Sequence, residues 1–302
     1  MLGVLILALL IDLLGEPPIF IHPVVWTGKI SERLIKPFKG RAYGVFIWTA
    51  SVLPVLLLFT ILLSLNVPYL VKIIIAVYSL KISFSISMLY RLVKNSVGEN
   101  GKENAQQLVR RDLKQEDQGH VISAAIESLF ESTVDGITSP IFWFTLLGIP
   151  GALLQRLANT MDSMVGYKTP ELEKEGWFSA KVDTVINYVP ARLTFLFMIL
   201  AGYLLNMNVR KCVKNVRKTT IESINARYPI SCSAGLLDVK LEKRGFYSEN
   251  DDANLPDEGK LKDALMLFRV TLFIFMTFAL AVDYCLYGLS LLGYPYGILE
   301  LI

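Results

Sequence analysis

Apolar residues fall in six runs along the chain, at 2–14, 43–65, 68–90, 140–157, 188–206 and 265–292, with polar stretches between them. A helix that crosses a bilayer needs about 20 predominantly apolar residues. The second, third and sixth runs reach that length, and the fifth just does. The first is short and ends near Asp12, so it spans only where the bilayer thins or the helix starts at the interface. The fourth contains Gly148-Ile149-Pro150-Gly151. That run can break a helix into a re-entrant hairpin, tolerated at membrane depth only when packed inside protein. Only Asn66 and Val67 separate the second and third runs, which predicts a helical hairpin. The pattern predicts an all-α fold: a polytopic integral membrane bundle of about five or six apolar segments with cytoplasmic loops. Residues 1–302 read as a single membrane-embedded domain, and 207–264 as a long polar loop that contributes to the site.

Charge refines this picture. Loops 15–42, 91–138 and 207–264 are rich in Lys and Arg, the last carrying eleven. Basic loops stay on the cytoplasmic side, so six spans would place all three there. Residues 158–187 and both termini would then lie on the opposite face. Lys81 falls deep in the third run, and an intramembrane cation faces a cavity, meets a partner carboxylate or snorkels to the interface. The chain is 53% hydrophobic and 19% charged, against about 25% charged in a soluble domain. A net charge of +3 without a basic-aromatic patch argues against nucleic acid. No basic leader precedes the first apolar run, so it is expected to be retained. Cys212, Cys232 and Cys285 are too few and too far apart for a disulfide framework or a metal-ligand spacing, and read as buried small hydrophobes.

Three polar constellations stand out. Asp117 can cap a helix that buries Ile122, Ile126, Leu129 and Phe130. On its other face Glu127, Glu131 and Asp135 follow at i, i+4 and i+8. Like charges so spaced repel unless a cation sits among them. The stripe is therefore either a Mg²⁺ or ammonium site or a solvated acidic face. Asn159 through Lys168, with Asp162, Ser163 and Tyr167, makes either a binding corner with Lys168 on a phosphate or an ordinary helix end. Asp183, Asn187 and Arg192 gather at the mouth of the fifth run. There Arg192 suits bidentate carboxylate or phosphate recognition, or snorkels to headgroups. His22 and His120, the only histidines, suit hydrogen-bonding or packing roles. The sequence has no Gly-x-x-x-x-Gly-Lys-Ser/Thr run, which excludes a P-loop.

Taken together these residues resemble a known family. His22-Pro23-Val24 with Gly28, Arg111-Asp112, Ala125 through Leu129 with Glu131, and Val134-Asp135-Gly136 are similar to motifs of the adenosylcobinamide-phosphate synthase (CobD/CbiB) family of cobalamin biosynthesis. Asn159 through Lys168, Gly176-Trp177, Asp183, Asn187, Pro190 through Leu193, Ser233 through Leu236 and Tyr247 continue the likeness over most of the chain. Ser132 stands where the family usually has Asn, and Thr184 where a second acidic residue often follows Asp183. The terminal block lacks the usual Gly-Gly.

The resemblance implies an acid–amine ligase in the cell membrane. Its substrates would be adenosylcobyric acid and an aminoalcohol phosphate such as aminopropanol phosphate, with ATP as co-substrate and Mg²⁺ as cofactor. Glu127, Glu131, Asp135 and Asp162 would be catalytic, the first three also holding the metal. His22, Arg111, Asp112, Asn159, Ser163, Tyr167, Lys168, Asp183, Asn187 and Arg192 would bind substrate. The bilayer is the expected environment, and a homo-oligomer is left open. Nucleotide and corrinoid are cytoplasmic, which favours residues 158–187 folding back into an intramembrane cavity. The rival function is a transporter or corrinoid-binding scaffold without ligase activity.

Overall fold

The computed structural model describes residues 1–166 and 170–301. Its helices, in chain order, begin with α1 (Leu2–Asp12), α2 (Pro23–Leu34), α3 (Arg41–Ser64), α4 (Tyr69–Lys81), α5 (Ile86–Lys94), α6 (Gly101–Gln106) and α7 (Gln118–Thr133). After a π-helical turn at Val134–Thr138 come α8 (Ser139–Val165), α9 (Glu173–Ile186), α10 (Tyr188–Leu204), α11 (Val209–Lys218) and α12 (Arg227–Leu237). A hairpin of β1 (Leu241–Lys243) and β2 (Tyr247–Glu249) precedes α13 (Glu258–Tyr287), and β1 and β2 pair antiparallel. Four helical stretches are long and apolar enough to cross a membrane: Arg41–Ser64, Tyr69–Lys94, Gln118–Val165 and Glu258–Tyr287. A fifth is counted if α9 and α10, bent by 45°, form one span. The protein is a polytopic helical membrane protein.

Several boundaries differ from the apolar runs for visible reasons. The third run is interrupted at residues 82–85, where α4 gives way to α5. The fourth run belongs to a 48-residue helical stretch, which as a straight helix would be about 72 Å long, beyond the ~30 Å of a hydrocarbon core. It is broken at Gly148, whose φ of 66° and ψ of −155° lie outside the helical region. α1 remains short of a full span. Segment 207–264 contains α11, α12 and the hairpin. Cys212 and Cys232, expected as separate buried thiols, form a disulfide with Cα atoms 4.1 Å apart. Helix packing overcomes the 20-residue separation, which sequence spacing alone could not show.

The chain divides into two compact units. The first comprises Met1–Ser85, Asp135–Asn187 and Ala279–Ile302. In it α3 packs on α2, α8 and α9, and α1 packs on α4. α9 approaches α3 so closely that a side chain at Gly44 would overlap the Glu175 carbonyl, the small-residue contact that lets membrane helices pack without a hydrophobic driving force. The buried Glu175 carboxylate accepts the backbone N–H groups of Lys39 and Gly40 at the start of α3, where a helix dipole favours negative charge. Gly148 meets residues 295–297, and the Ile149 N–H freed by the break donates to the Pro295 carbonyl at 3.0 Å.

The second unit comprises Ile86–Val134 and Tyr188–Phe278. Its core includes α7 against β1 and α12, and α12 against α10 and α11. Asp117 caps α7 by accepting the His120 N–H at 3.0 Å. Both units present large apolar side chains outward. Leu57 and Ile61 of α3, Leu200 and Tyr203 of α10 and Phe273 of α13 are all exposed, the surface expected where lipid is the solvent.

Candidate functional site

In the second unit the site is built around Glu127, one of the three carboxylates of the acidic stripe. It is only 5% exposed, so it is no solvated acidic face. Its Oε1 accepts Ser123 Oγ at 2.8 Å and Arg111 Nη2 at 3.3 Å, and its Oε2 accepts the Tyr247 hydroxyl at 2.6 Å. Ser123 in turn accepts the Glu242 N–H at 2.9 Å, which fastens β1 to α7. A buried carboxylate requires this many donors and one paired cation. Burial, followed by the charges of Glu127 and Glu131, pushes the Tyr247 phenol well up, so Tyr247 remains a donor.

Next to this cluster, His120 faces Asp117 at 2.7 Å through Nδ1 and Glu242 at 3.1 Å through Nε2. The His120 hydrogen bond holds the Glu242 carboxyl below its usual range. The hydrogen-bonding role expected for His120 is what the structure shows.

The first unit holds two linked networks. At the end of α1, Lys81 Nζ meets Asp12 Oδ1 at 3.0 Å and both Glu16 oxygens at 3.0 Å. Ser85 also donates to Glu16, and His22 Nε2 faces it at 3.8 Å. Burial alone would raise the Glu16 carboxyl, but His22, Ser85 and Lys81 outweigh it and hold it at about 2. Of the three fates open to Lys81, two are observed together: it meets partner carboxylates, with its side chain 2% exposed, and it lies in the lining of a groove. In the second network Asp183 Oδ1 accepts Asn187 Nδ2 at 2.9 Å and Asn159 Nδ2 at 3.2 Å. Gln155 Nε2 donates to Asn187 Oδ1 and to the Asp135 carbonyl. Arg156, charged and inside α8, couples electrostatically to both Glu16 and Asp135. An apolar groove of about 460 Å³ between α1 and α4 has Glu16 and Lys81 in its lining.

The expected site residues therefore divide between the units. Glu127, Glu131, Arg111, Asp112 and Arg192 belong to the second, while His22, Asp135, Asn159, Asp162, Ser163, Asp183 and Asn187 belong to the first. The α-helical spacing assumed for Glu127, Glu131 and Asp135 ends at Thr133, where the π-turn begins. Asp162 is half-buried one turn beyond Asn159, and Ser163 is exposed. Tyr167 and Lys168 lie outside the described residues.

Two of the expected binding residues have local duties. Asp112 closes a turn by accepting the Lys114 N–H at 2.9 Å. Arg192 donates to Tyr188 O, Asn225 Oδ1 and Ile224 O, with its guanidinium 3.5 Å from the Tyr188 ring centroid and 4.5 Å from that of Tyr228.

Sequence reasoning passed over Asp12, Glu16, Ser85, Ser123, Gln155 and Arg156. Arg156 carried the signal that singled out Lys81, a cation within an apolar helix. Among the described residues no group of three His, Cys, Asp or Glu side chains could by itself hold a metal ion. Mg²⁺ commonly takes one or two carboxylates together with waters and substrate phosphates. Exposed Glu131, near enough to Tyr247 to act on its phenol, offers the hard oxygen that this mode needs.

The family described as CobD/Cbib protein matches residues 5–269. Curated relatives named "Probable cobalamin biosynthesis protein CobD" are similar over most of their length. The protein from Aeropyrum pernix is 41% identical over 249 residues, 78% of this chain and 77% of the relative. That from Methanothermobacter thermautotrophicus is 38% identical over 285 residues, 90% of this chain and 95% of the relative. That from Thermoplasma acidophilum is 36% identical over 289 residues, 90% and 94% of the two chains. No solved structure matches. On a family match over nearly the whole chain and relatives at this identity, the chain belongs to the CobD/CbiB family.

Proposed function

We propose that this protein acts in cobalamin biosynthesis as an ATP-dependent acid–amine ligase of the cell membrane, joining an aminoalcohol phosphate to adenosylcobyric acid. The observation that carries the reading is the near full-length match to relatives named for cobalamin biosynthesis. In the proposed reaction a propionate carboxylate of the corrinoid attacks the γ-phosphorus of ATP, and ADP leaves. The amine then attacks the acyl carbon, the C–O bond to phosphate breaks, and the amine proton passes to a base. Mg²⁺ bound at Glu131 would neutralise charge on the phosphates. Glu127, held by Ser123, Arg111 and Tyr247, keeps its neighbourhood rigid. Asp162 and Asn159 would orient the amine, with Asp162, the carboxylate of the two, as the proposed base for its proton. Arg192, anchored on Tyr188, Asn225 and Ile224 by three of its five N–H groups, would hold a substrate phosphate with the other two.

The test is direct. The purified full chain, given ATP, Mg²⁺, adenosylcobyric acid and aminopropanol phosphate, should form ADP and an amide adduct seen by mass spectrometry. Corrinoid binding without amide would replace the ligase by a scaffold. Asp162→Ala, in a sample that unfolds like wild type, should lower turnover by about tenfold or more. An unchanged rate removes Asp162 from the reaction.

A further inference from the structure

α11 has the sequence Val209-Arg-Lys-Cys-Val-Lys-Asn-Val-Arg-Lys218, with five basic residues in ten and no acidic one. Its two faces separate by helical spacing. Val209, Cys212, Val213 and Val216 fall at i, i+3, i+4 and i+7, and Arg210, Lys214, Arg217 and Lys218 at i, i+4, i+7 and i+8. The apolar face is occupied: Cys212 is fully buried, bonded to Cys232, and α11 packs along α12. All four residues of the basic stripe are exposed. Lys211, off that stripe, pairs with Asp238 at 2.6 Å. The disulfide and the α12 contact thus fix which side of α11 faces away from the protein.

The position of this helix restricts its partner. α10 is an apolar helix whose Leu200, Tyr203 and Leu204 are exposed up to its last turn. An exposed tyrosine at the end of such a helix suits the membrane–water interface. The link to α11 is residues 205–208, which reach at most about 14 Å, and it is a tight turn. Leu205 and Met207 N–H groups return to the Ala201 and Gly202 carbonyls, and Asn206 is left-handed. Asn208 caps α11 by accepting the Lys211 N–H at 3.0 Å. The basic stripe therefore begins where the lipid-facing surface of α10 ends. A cationic face beside an apolar helix end is complementary to anionic headgroups.

We infer that α11 lies on the membrane surface and binds anionic lipid headgroups through Arg210, Lys214, Arg217 and Lys218. The inference is independent of the ligase reading. A basic side chain close to an anionic surface strengthens association about fivefold. Glutamine keeps comparable helix propensity at exposed positions, so the stripe can be neutralised without removing the helix.

The purified full chain in neutral detergent would be titrated with phosphatidylglycerol or phosphatidylcholine, and bound lipid counted by native mass spectrometry. Wild type should prefer phosphatidylglycerol, and added salt should weaken the preference. The combined Arg210→Gln, Lys214→Gln, Arg217→Gln and Lys218→Gln variant should lose at least about tenfold of it, with an unchanged melting temperature in the same detergent. Exchanging Arg for Lys and Lys for Arg at the four positions should preserve the preference. A wild type without preference, or a glutamine variant that keeps it, overturns the assignment. So does inorganic phosphate or ATP binding through these residues while phosphatidylglycerol does not, since the stripe would then serve a soluble anion.

Discussion

At the scale of single residues, burial separates side chains that the sequence presents as alike. Glu127 and Glu131 are one helical turn apart, yet the first is enclosed by three donors and the second is exposed. Tyr247→Phe removes the shortest of the three donors and leaves Oε2 of a buried charge without that bond. The expected cost is about 1.5–3 kcal/mol, measured by denaturant unfolding of the purified chain. A change within a few tenths would show that Tyr247 does not support Glu127. Glu16 makes a pH prediction. Its folded pKa of about 2 lies below the ordinary 4.5, so the unfolded chain takes up the proton first as pH falls. The stability it contributes is present above pH 4.5 and is lost as pH drops through 4.5 toward 2. Wild type should thus lose stability over that acid window, and Glu16→Gln should show a flatter curve there. Parallel curves would mean that Lys81, Ser85 and His22 do not favour the carboxylate.

At the scale of elements, the breaks matter as much as the helices. The Gly148-Ile149-Pro150-Gly151 run announces an interruption, and Gly148 is where it falls. A β-carbon there would overlap the Pro295 carbonyl and the Gly297 nitrogen, at a φ that L-residues rarely adopt. Gly148→Ala should therefore lower the melting temperature sharply. Gly98→Ala, also at positive φ but with open space around it, should cost far less. Similar losses in both would assign the effect to backbone strain alone. The 2–14 run illustrates the opposite limit. Its apolar pattern makes a helix legible, while its ending on Asp12 gains meaning only from Lys81 on α4. Likewise the 207–264 stretch reads as polar, because the amphipathic α11 and the buried α12 average to moderate hydropathy when their faces are not resolved.

At the scale of the whole molecule, the exposed apolar surface is explained by the solvent it meets. Phe273 is 74% exposed at the middle of α13, between the buried Leu272 and Phe275. On a water-facing surface Phe273→Asp would be harmless or would improve solubility. In lipid it should cost about 3 kcal/mol and reduce the amount of chain that inserts, as measured by alkaline extraction of membranes. Normal insertion of that variant would contradict a lipid-facing α13.

The sequence by itself determined the membrane class, the approximate spans, the helix break and the family, because each depends on local composition or on an ordered run of residues. Only the tertiary structure decided the ion partners of Lys81, the cysteine pairing and which carboxylate of the acidic stripe is buried. Asp12 and Lys81 are 69 residues apart, and Glu127 and Tyr247 are 120 apart. Contacts at such distances depend on how helices pack, and side-chain packing leaves no period in the chain for a one-dimensional pattern to report.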